Sequence, residues 1–145
     1  MDAEAGRQER EIKVLAAGML CVDDDGNKAR KIVRNRLANR AHHNFRFSYD
    51  TVPAEELDGI KNFMAGFDVM KPMEDRVDPD LVNDYLIHRF AIAGNPKECI
   101  ARIEELQAAG VGHLMLTPAR TVYNETVEAF AKNVIPHFRG EPGYS

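Results

Sequence analysis

The chain has 145 residues, of which 44% are hydrophobic and 29% are charged, with ten glycines, seven prolines and two cysteines. This composition is typical of one globular domain and excludes a collagen-like, low-complexity or disulfide-stapled chain. The formal net charge of −4 provides no dominant positive surface, so we expect no binding to nucleic acid and none to a membrane surface.

The opening residues 1–14 lack the apolar stretch of a secretory signal, and no run approaches the roughly 18 apolar residues of a membrane span. We therefore expect a cytoplasmic protein. Thiols stay reduced in that compartment, and neither Cys21 nor Cys99 has a CxxC neighbour. The two cysteines are predicted to be buried free thiols.

The first strand–helix unit spans residues 1–41. An apolar run at residues 12–22 predicts a strand that is covered on both faces, as in a parallel sheet. The acidic turn at residues 23–27 supplies helix-capping side chains. Between residues 28 and 41 apolar positions recur every three or four residues among basic ones, which predicts an amphipathic outer helix. Its basic face lacks interleaved aromatic residues, so we interpret it as a solvated surface.

Residues 42–88 are the least regular part of the chain and are predicted to be an insertion. Pro53 suits the first turn of a short helix that carries Leu57, Ile60 and Met64, and Asp78 with Pro79 opens another short helix through Leu86. Aromatic and methionine residues are frequent here. They favour core or oligomer packing, and a cover for a hydrophobic ligand is the alternative.

A second strand–helix unit is predicted at residues 89–110. Residues 89–93 form an apolar run of strand length. Asn95, Pro96 and Glu98 then have the spacing of a helix start, with Asn95 as the cap, Pro96 at the first helical position and Glu98 completing a capping box. Gly110 is predicted to end the helix in the left-handed conformation that a C-terminal cap prefers.

The third unit, at residues 111–145, contains a predicted strand at 111–117 and a final helix at about 127–138. The order is therefore strand–helix, insertion, strand–helix, strand–helix within a single predicted domain. Strands separated by helices of this length predict right-handed crossovers and a parallel sheet, so the fold class is α/β.

Three segments carry a family resemblance: AGRQEREIKVLAAGMLCVDDDGNKARKIVRNRLA, HRFAIAGNPKECIARIEELQAAGVGHLMLTP and ETVEAFAKNVIPHFR. Together they resemble the C-terminal part of the luciferase-like oxidoreductases and monooxygenases, and within that family the methylenetetrahydromethanopterin reductase branch. The family fold is a (β/α)₈ TIM barrel of about 250 residues or more. The resemblance implies a C-terminal segment of such a barrel, roughly units six to eight, without the first five.

The resemblance implies an oxidoreductase whose complete form uses reduced flavin (FMN) or a deazaflavin on a small-molecule substrate. Many cofactor contacts in the family come from the earlier strands, so we expect the chain alone to lack a full cofactor pocket. Unpaired sheet edges and an uncovered barrel interior favour a homo-oligomer or pairing with the missing N-terminal half-barrel. The alternatives are a non-catalytic half-barrel that assembles or binds a ligand, and one subunit of a split enzyme.

The candidate binding residues follow the predicted strands. Gly94 and Asn95 begin a helix whose free amides favour phosphate, and a simple capped turn is the alternative. Thr117 and Arg120 follow the third strand and are predicted to line the same barrel mouth. The sugar-phosphate dehydrogenase branch of the family implies that Arg89 helps to hold a substrate phosphate, and a surface ion pair is the alternative.

No pair of residues marks a catalytic acid or base, so the catalytic residues stay unassigned. The acidic turn at residues 23–27 lacks the ligand spacing of an EF-hand, and the five histidines form no ligand pattern, so we expect no metal. The sequence also contains no P-loop, dinucleotide-binding or nucleophile-elbow motif.

Overall fold

The computed structural model describes residues 12–140 as an α/β fold built on one parallel, three-stranded sheet. The strands are β1 (Val14–Val22), β2 (Ala91–Gly94) and β3 (Val111–Pro118). Their order across the sheet is β2-β1-β3, and both pairings are parallel. The predicted fold class, with parallel strands and covering helices, is confirmed.

Helices connect the strands and follow the last one. In the described part of the chain they are α1 (Gly26–Phe45), α2 (Leu57–Ala65), α3 (Asp84–Phe90), α4 (Pro96–Ala108), α5 (Tyr123–Asn133) and α6 (Ile135–Arg139). Short 3-10 turns lie at Ala54–Glu56, Met73–Asp75, Pro79–Leu81 and Arg120–Val122. Within residues 12–140, none of the helices combines the length and the apolar character needed to cross a membrane.

Helices cover both faces of the sheet at its C-terminal end. Met19 and Cys21 of β1 belong to a buried cluster with residues of α1, α2 and α3. Leu20 and Val22 belong to a second cluster with residues of α4 and α5. Successive strand residues point to opposite faces, so the apolar run of β1 supplies two cores. The prediction of a strand covered on both faces is confirmed here, and the expected uncovered interior is not found at this end.

The position of β3 differs from the order in a barrel. Consecutive units of a TIM barrel place each strand beside the next, which would put β2 between β1 and β3. Instead, β3 pairs with β1 along residues Val14 to Leu20, and the connection through α4 passes over β1. Within the described residues, β2 therefore keeps one free edge and β3 another.

The N-terminal end of β1 and the middle of β3 are open to solvent. Val14 and Leu15 are 50% and 56% exposed, and Met115 of β3 is 58% exposed. Apolar side chains of two adjacent strands therefore remain exposed on this part of the sheet.

The insertion contributes to the core. Phe45 and Phe63 are fully buried, and Tyr49 and Phe67 pack against the same cluster. Met70, in contrast, is 88% exposed. Core packing therefore accounts for Phe45, Tyr49, Phe63 and Phe67, whereas Phe47, at 72% exposed, and the exposed Met70 have no role in the core.

Two boundaries in this region differ from the predictions. The helix predicted from Asp78 through Leu86 is wrong as one element, because Asn83 caps a new helix: its side chain accepts from the amide of Leu86 at 3.0 Å. The strand predicted from Arg89 is also wrong at its start, since α3 continues to Phe90. His88 and Arg89 lie in the last turn of α3, where positive charge favours the helix dipole.

Two further helix boundaries coincide with a glycine and a proline, at Gly110 and Pro136. Gly110 has a φ of +96°, so the predicted left-handed end of α4 is confirmed. The final helix is split into α5 and α6 at Val134, and Pro136 lies in the first turn of α6. A proline is tolerated in a first turn but cannot continue the hydrogen bonding of a preceding helix.

Both cysteines are free and buried, as predicted. Burial raises the pKa of Cys99 to about 12 and also raises the pKa of Cys21. Because the thiolate is the reactive form, we expect neither thiol of the native protein to react with a chromogenic thiol reagent at pH 8 within minutes. In denaturant both should react at once. Rapid reaction of either thiol in the native protein would contradict the buried assignment.

Candidate functional site

The C-terminal ends of β1 and β2 bring two helix starts side by side. Val22 lies beside Gly94 in the parallel pairing, and the amide of Asp23 donates to the carbonyl of Gly94 at 3.1 Å. The next residues of each chain segment begin α1 and α4. Each helix start carries backbone amides without a partner inside the helix and the positive end of a helix dipole. The C-terminal end of the sheet therefore favours negative charge.

Side chains of the protein itself cap both helices. Asp25 accepts from the amides of Asn27 and Lys28 at 3.0 and 3.3 Å. At α4, Asn95 Oδ1 accepts from the amide of Glu98 at 3.0 Å, and Glu98 Oε2 accepts from the amide of Asn95 at 2.8 Å. The capping box predicted from the sequence is confirmed.

The carboxylate of Glu98 lies at the centre of this arrangement. Its Oε2 also accepts from Arg30 Nη1 of α1 at 2.9 Å, so one carboxylate joins the two helices. The hydrogen bond from Asn95, followed by that from Arg30, holds the pKa of Glu98 below its usual value. A Cβ at Gly26 or Gly94 would collide with this carboxylate. Glycine at both positions thus makes room for Glu98.

Gly94 and Asn95 therefore form a capped turn at the expected place. The amide of Asn95 is bonded to Glu98, which supplies the negative charge that an external phosphate was expected to supply. A phosphate-binding role for these two residues stays a prediction, and it requires Glu98 to move away from the helix start.

Thr117 and Arg120 lie at the same end of the sheet, on the other side of β1. Thr117 is paired with Met19, and the amide of Ala119 donates to the carbonyl of Leu20 at 2.8 Å. Both Thr117 and Arg120 are exposed. The structure thus brings four of the five candidate residues to one end of the sheet, as two pairs flanking β1.

Arg89 lies at the opposite end of β2 from Gly94. Its guanidinium donates to the carbonyl and hydroxyl oxygens of Thr51 at 3.2 and 2.7 Å, and to the hydroxyl of Tyr85 at 2.9 Å. It also lies 5.0 Å from the ring centroid of Phe45. Arg89 thus links Thr51 of the insertion to Tyr85 of α3. It does not lie with the other four candidate residues.

Sequence reasoning missed two contacts at this end of the sheet. Thr126 of α5 is fully buried, accepts from the amide of Val22 at 3.4 Å and donates to Cys21 Sγ at 3.8 Å. The Arg30–Glu98 pair joins residues 68 positions apart. Neither contact could be predicted from neighbouring residues. The capping-box spacing did single out Glu98, but it did not indicate that Arg30 is its partner.

Two cavities of the described residues lie away from the four candidates. One of about 390 Å³ is enclosed by α4, β3, α5 and α6, and one of about 740 Å³ by α1, α3, β2 and α4. Gly94, Asn95, Thr117 and Arg120 line neither of them. Within residues 12–140 no three His, Cys, Asp or Glu side chains are grouped so as to hold a metal ion.

A flavin-sized cofactor does not fit the four candidates as they stand. Thr117 and Arg120 are exposed, Gly94 is buried, and the four residues line neither of the two cavities, so they form a ledge and not an enclosed pocket. The Glu98 carboxylate beside Gly94 and Asn95 would repel an anionic cofactor group. The ledge alone is therefore not a complete cofactor site.

Comparison with known proteins places the chain in a family. Its residues 1–113 match the family model of the luciferase-like monooxygenases. The match ends at the start of β3, the strand whose position differs from barrel order. The chain is also 29% identical over 143 residues to the 5,10-methylenetetrahydromethanopterin reductase of Methanopyrus kandleri, covering 94% of this chain and 38% of the relative.

A solved structure agrees with this result. The coenzyme F420-dependent tetrahydromethanopterin reductase from Methanopyrus kandleri superposes with a TM-score of 0.60 at 25% identity, covering 94% of this chain and 38% of that one. The chain thus spans less than half of the relative that it matches along nearly its whole length. A family match over most of the sequence, with a matching fold, shows that the chain belongs to the luciferase-like monooxygenase family.

Proposed function

We propose that the chain is the C-terminal part of a luciferase-like oxidoreductase whose complete form uses a deazaflavin of the F420 type. The observation that carries the proposal is the match to an F420-dependent reductase over 94% of the chain. The same match favours a deazaflavin over FMN. In such enzymes the cofactor supplies hydride transfer, while the protein positions the cofactor and a small-molecule substrate. We place this activity in the cytoplasm.

The activity requires barrel units beyond the matched segment. Its candidate residues form only a ledge at one end of the sheet, and the relative is more than twice as long as the matched segment. The exposed Val14, Leu15 and Met115, with the free edges of β2 and β3, supply a surface on which further barrel units can pair. We propose that a polypeptide carrying the missing N-terminal half-barrel occupies this surface.

The test is cofactor binding with and without that partner. The chain is titrated with F420 and with FMN, alone and mixed with the segment of the Methanopyrus kandleri reductase that lies outside the matched part, while light scattering reports the assembly. We expect no binding by the chain alone and stoichiometric F420 binding by the mixture. Leu15→Lys should abolish complementation, and Met70→Lys, which changes an exposed residue of the insertion, should not.

Other outcomes would contradict the proposal. Stoichiometric binding of either cofactor by the chain alone would overturn the need for a partner. Absence of F420 binding in the mixture, despite formation of a complex, would overturn the deazaflavin assignment.

One observation favours a second candidate, a non-catalytic half-barrel that assembles with itself. Glu98 occupies the free amide at the start of α4, and Asp25 occupies two amides at the start of α1, so neither helix start is open to an external anion in this structure. For this candidate, light scattering would find a discrete homo-oligomer that neither binds F420 nor recruits the added segment.

A further inference from the structure

Residues 67–76, which we refer to as the strap, follow α2 and fold back onto the C-terminal half of α1. At the first residue of the strap, the ring of Phe67 stacks on the imidazole of His42, with the centroids 4.0 Å and the planes 11° apart. At its last residue, Arg76 Nη1 donates to Asn39 Oδ1 at 2.6 Å. Both ends of the strap are therefore held on α1 by side-chain contacts about one helical turn apart.

Basic groups surround the imidazole of His42. Residues three or four positions apart share one face of a helix, so Arg46 and Asn39, which binds Arg76, lie on either side of His42. His43 follows it in the chain. Within residues 12–140, no ion pair contains His42. Protonation of His42 would therefore add a positive charge that no paired carboxylate offsets.

The acidic residues of the strap do not supply that offset. Asp68 Oδ1 accepts from the amide of Met70 at 2.9 Å, so this carboxylate is bonded within the strap. Neither Glu74 nor Asp75 forms an ion pair with His42 in the described part of the chain. The contact between α1 and the strap is thus built around a neutral imidazole.

The titration of His42 follows from these surroundings. Partial burial, followed by the charges of Arg46, His43 and Arg76, holds the pKa of His42 below its usual value. A histidine whose pKa is lowered by folding stabilises the folded arrangement above about pH 6.5, the ordinary pKa of the side chain. That stabilisation is lost as the pH falls below this value, because the unfolded or open form binds the proton more tightly.

We propose that the strap is a pH-sensitive element that is closed on α1 while His42 is neutral and opens when His42 is protonated. Opening separates Phe67 from His42 and from the buried Phe63, whose ring centroid lies 5.9 Å from that of Phe67. Acid thus uncovers apolar surface of the main core in this one region. The switch does not depend on the proposed oxidoreductase activity.

The test is hydrogen exchange of the whole chain at about pH 7.5 and about pH 5, measured by mass spectrometry. Exchange is expressed as protection factors, which removes the intrinsic effect of pH on the exchange rate. The strap contains a reporter, since the amide of Asp68 donates to the carbonyl of Arg76 at 2.7 Å. We expect protection of the strap to fall by about threefold or more at the lower pH, because half a pKa unit between two states changes their equilibrium by that factor. Protection of α4 should change by less than about twofold, since opening is local.

Three variants assign the effect to one side chain. His42→Phe keeps an aromatic ring under Phe67 but cannot be protonated, so protection of the strap should be the same at both pH values. His43→Phe is the matched control: His43 is exposed, its ring contacts Phe47 and not Phe67, and the native pH dependence should persist. Phe67→Ala removes the stacking contact and should lower protection of the strap at both pH values.

Circular dichroism establishes that each variant is folded, and His42→Gln, which also cannot be protonated, replaces His42→Phe if that variant does not fold. The switch is overturned if His42→Phe loses protection at low pH as the native chain does. It is equally overturned if native protection of the strap is unchanged at low pH, or increases because a protonated imidazole is attracted to the ring of Phe67. An equal loss of protection in α4 would mean global destabilisation and would also overturn it.

Discussion

Replacement of Phe45 by alanine is expected to lower the free energy of unfolding by about 3–5 kcal/mol, the usual cost of deleting a buried phenylalanine. Phe45 is 1% exposed at the end of α1, and its ring meets that of Phe90 edge-on at a centroid distance of 5.8 Å. Tyr49 of the insertion stacks on it at 6.4 Å, and Arg89 lies over its face. The side chain therefore holds α1, α3 and the insertion together.

Phe47→Ala is the matched control, two positions further along the chain. Phe47 is 72% exposed, and its ring contacts only Arg46 and His43 among the ring and cation contacts of the described residues. We expect its loss to change the free energy of unfolding by less than about 0.5 kcal/mol. Urea denaturation followed by circular dichroism measures both, and the slope with denaturant should be the same for the two variants.

The comparison also decides what the aromatic residues of the insertion do. A large loss at Phe45 with a small one at Phe47 confirms that the insertion is anchored in the main core. Equal, small losses would mean that the insertion is loosely attached, and the alternative of a cover for a hydrophobic ligand would then regain support.

Features encoded within a few residues were predictable from the sequence. The apolar run of β1 and the Asn95–Glu98 capping box are examples, because each depends on neighbours at most a few positions apart. Gly110 is another, since its φ of +96° is a local property of the helix end. The fold class followed from the alternation of such local signals.

Features that depend on distant residues were not predictable in this way. The pairing of β3 with β1 joins residues that are far apart in the chain, such as Val14 and Val111, and no local pattern reports it. The breaks at Asn83 and Val134 were missed because the apolar periodicity continues across both of them. The family resemblance implied that Arg89 lies near a substrate phosphate, but in the structure its guanidinium donates to Thr51 and Tyr85.

In the candidate site, too, local features were predictable from the sequence and contacts between distant residues were not. Sequence reasoning found the turn at Gly94 and Asn95, and the structure places it at the end of the sheet where two helices begin. It did not find that Glu98 reaches across to Arg30, because that contact requires α1 and α4 to start side by side. The chemistry of the turn is thus decided by a tertiary contact.

Gly94→Ala is expected to destabilise the protein by about 1–3 kcal/mol, because an added methyl group has no room. A Cβ at Gly94 would lie 2.8 Å from Glu98 Cβ and would collide with the carboxylate, so Glu98 must move and loses its hydrogen bonds to Asn95 and Arg30. Gly112→Ala is the matched control. It is also a strand glycine, nothing lies within 4 Å of its added Cβ, and we expect a change below about 0.5 kcal/mol.

A double-mutant cycle identifies the cause of the loss. Glu98→Ala alone removes the capping box and the ion pair, at a cost of about 1–2 kcal/mol. If the carboxylate is the obstacle, Gly94→Ala costs less in the Glu98→Ala background than in the native protein. An equal cost in both backgrounds would mean that another contact excludes the methyl group. A smaller cost identifies Glu98 as the group that keeps Gly94 a glycine, and therefore as the group that must move before the helix starts can accept an external anion.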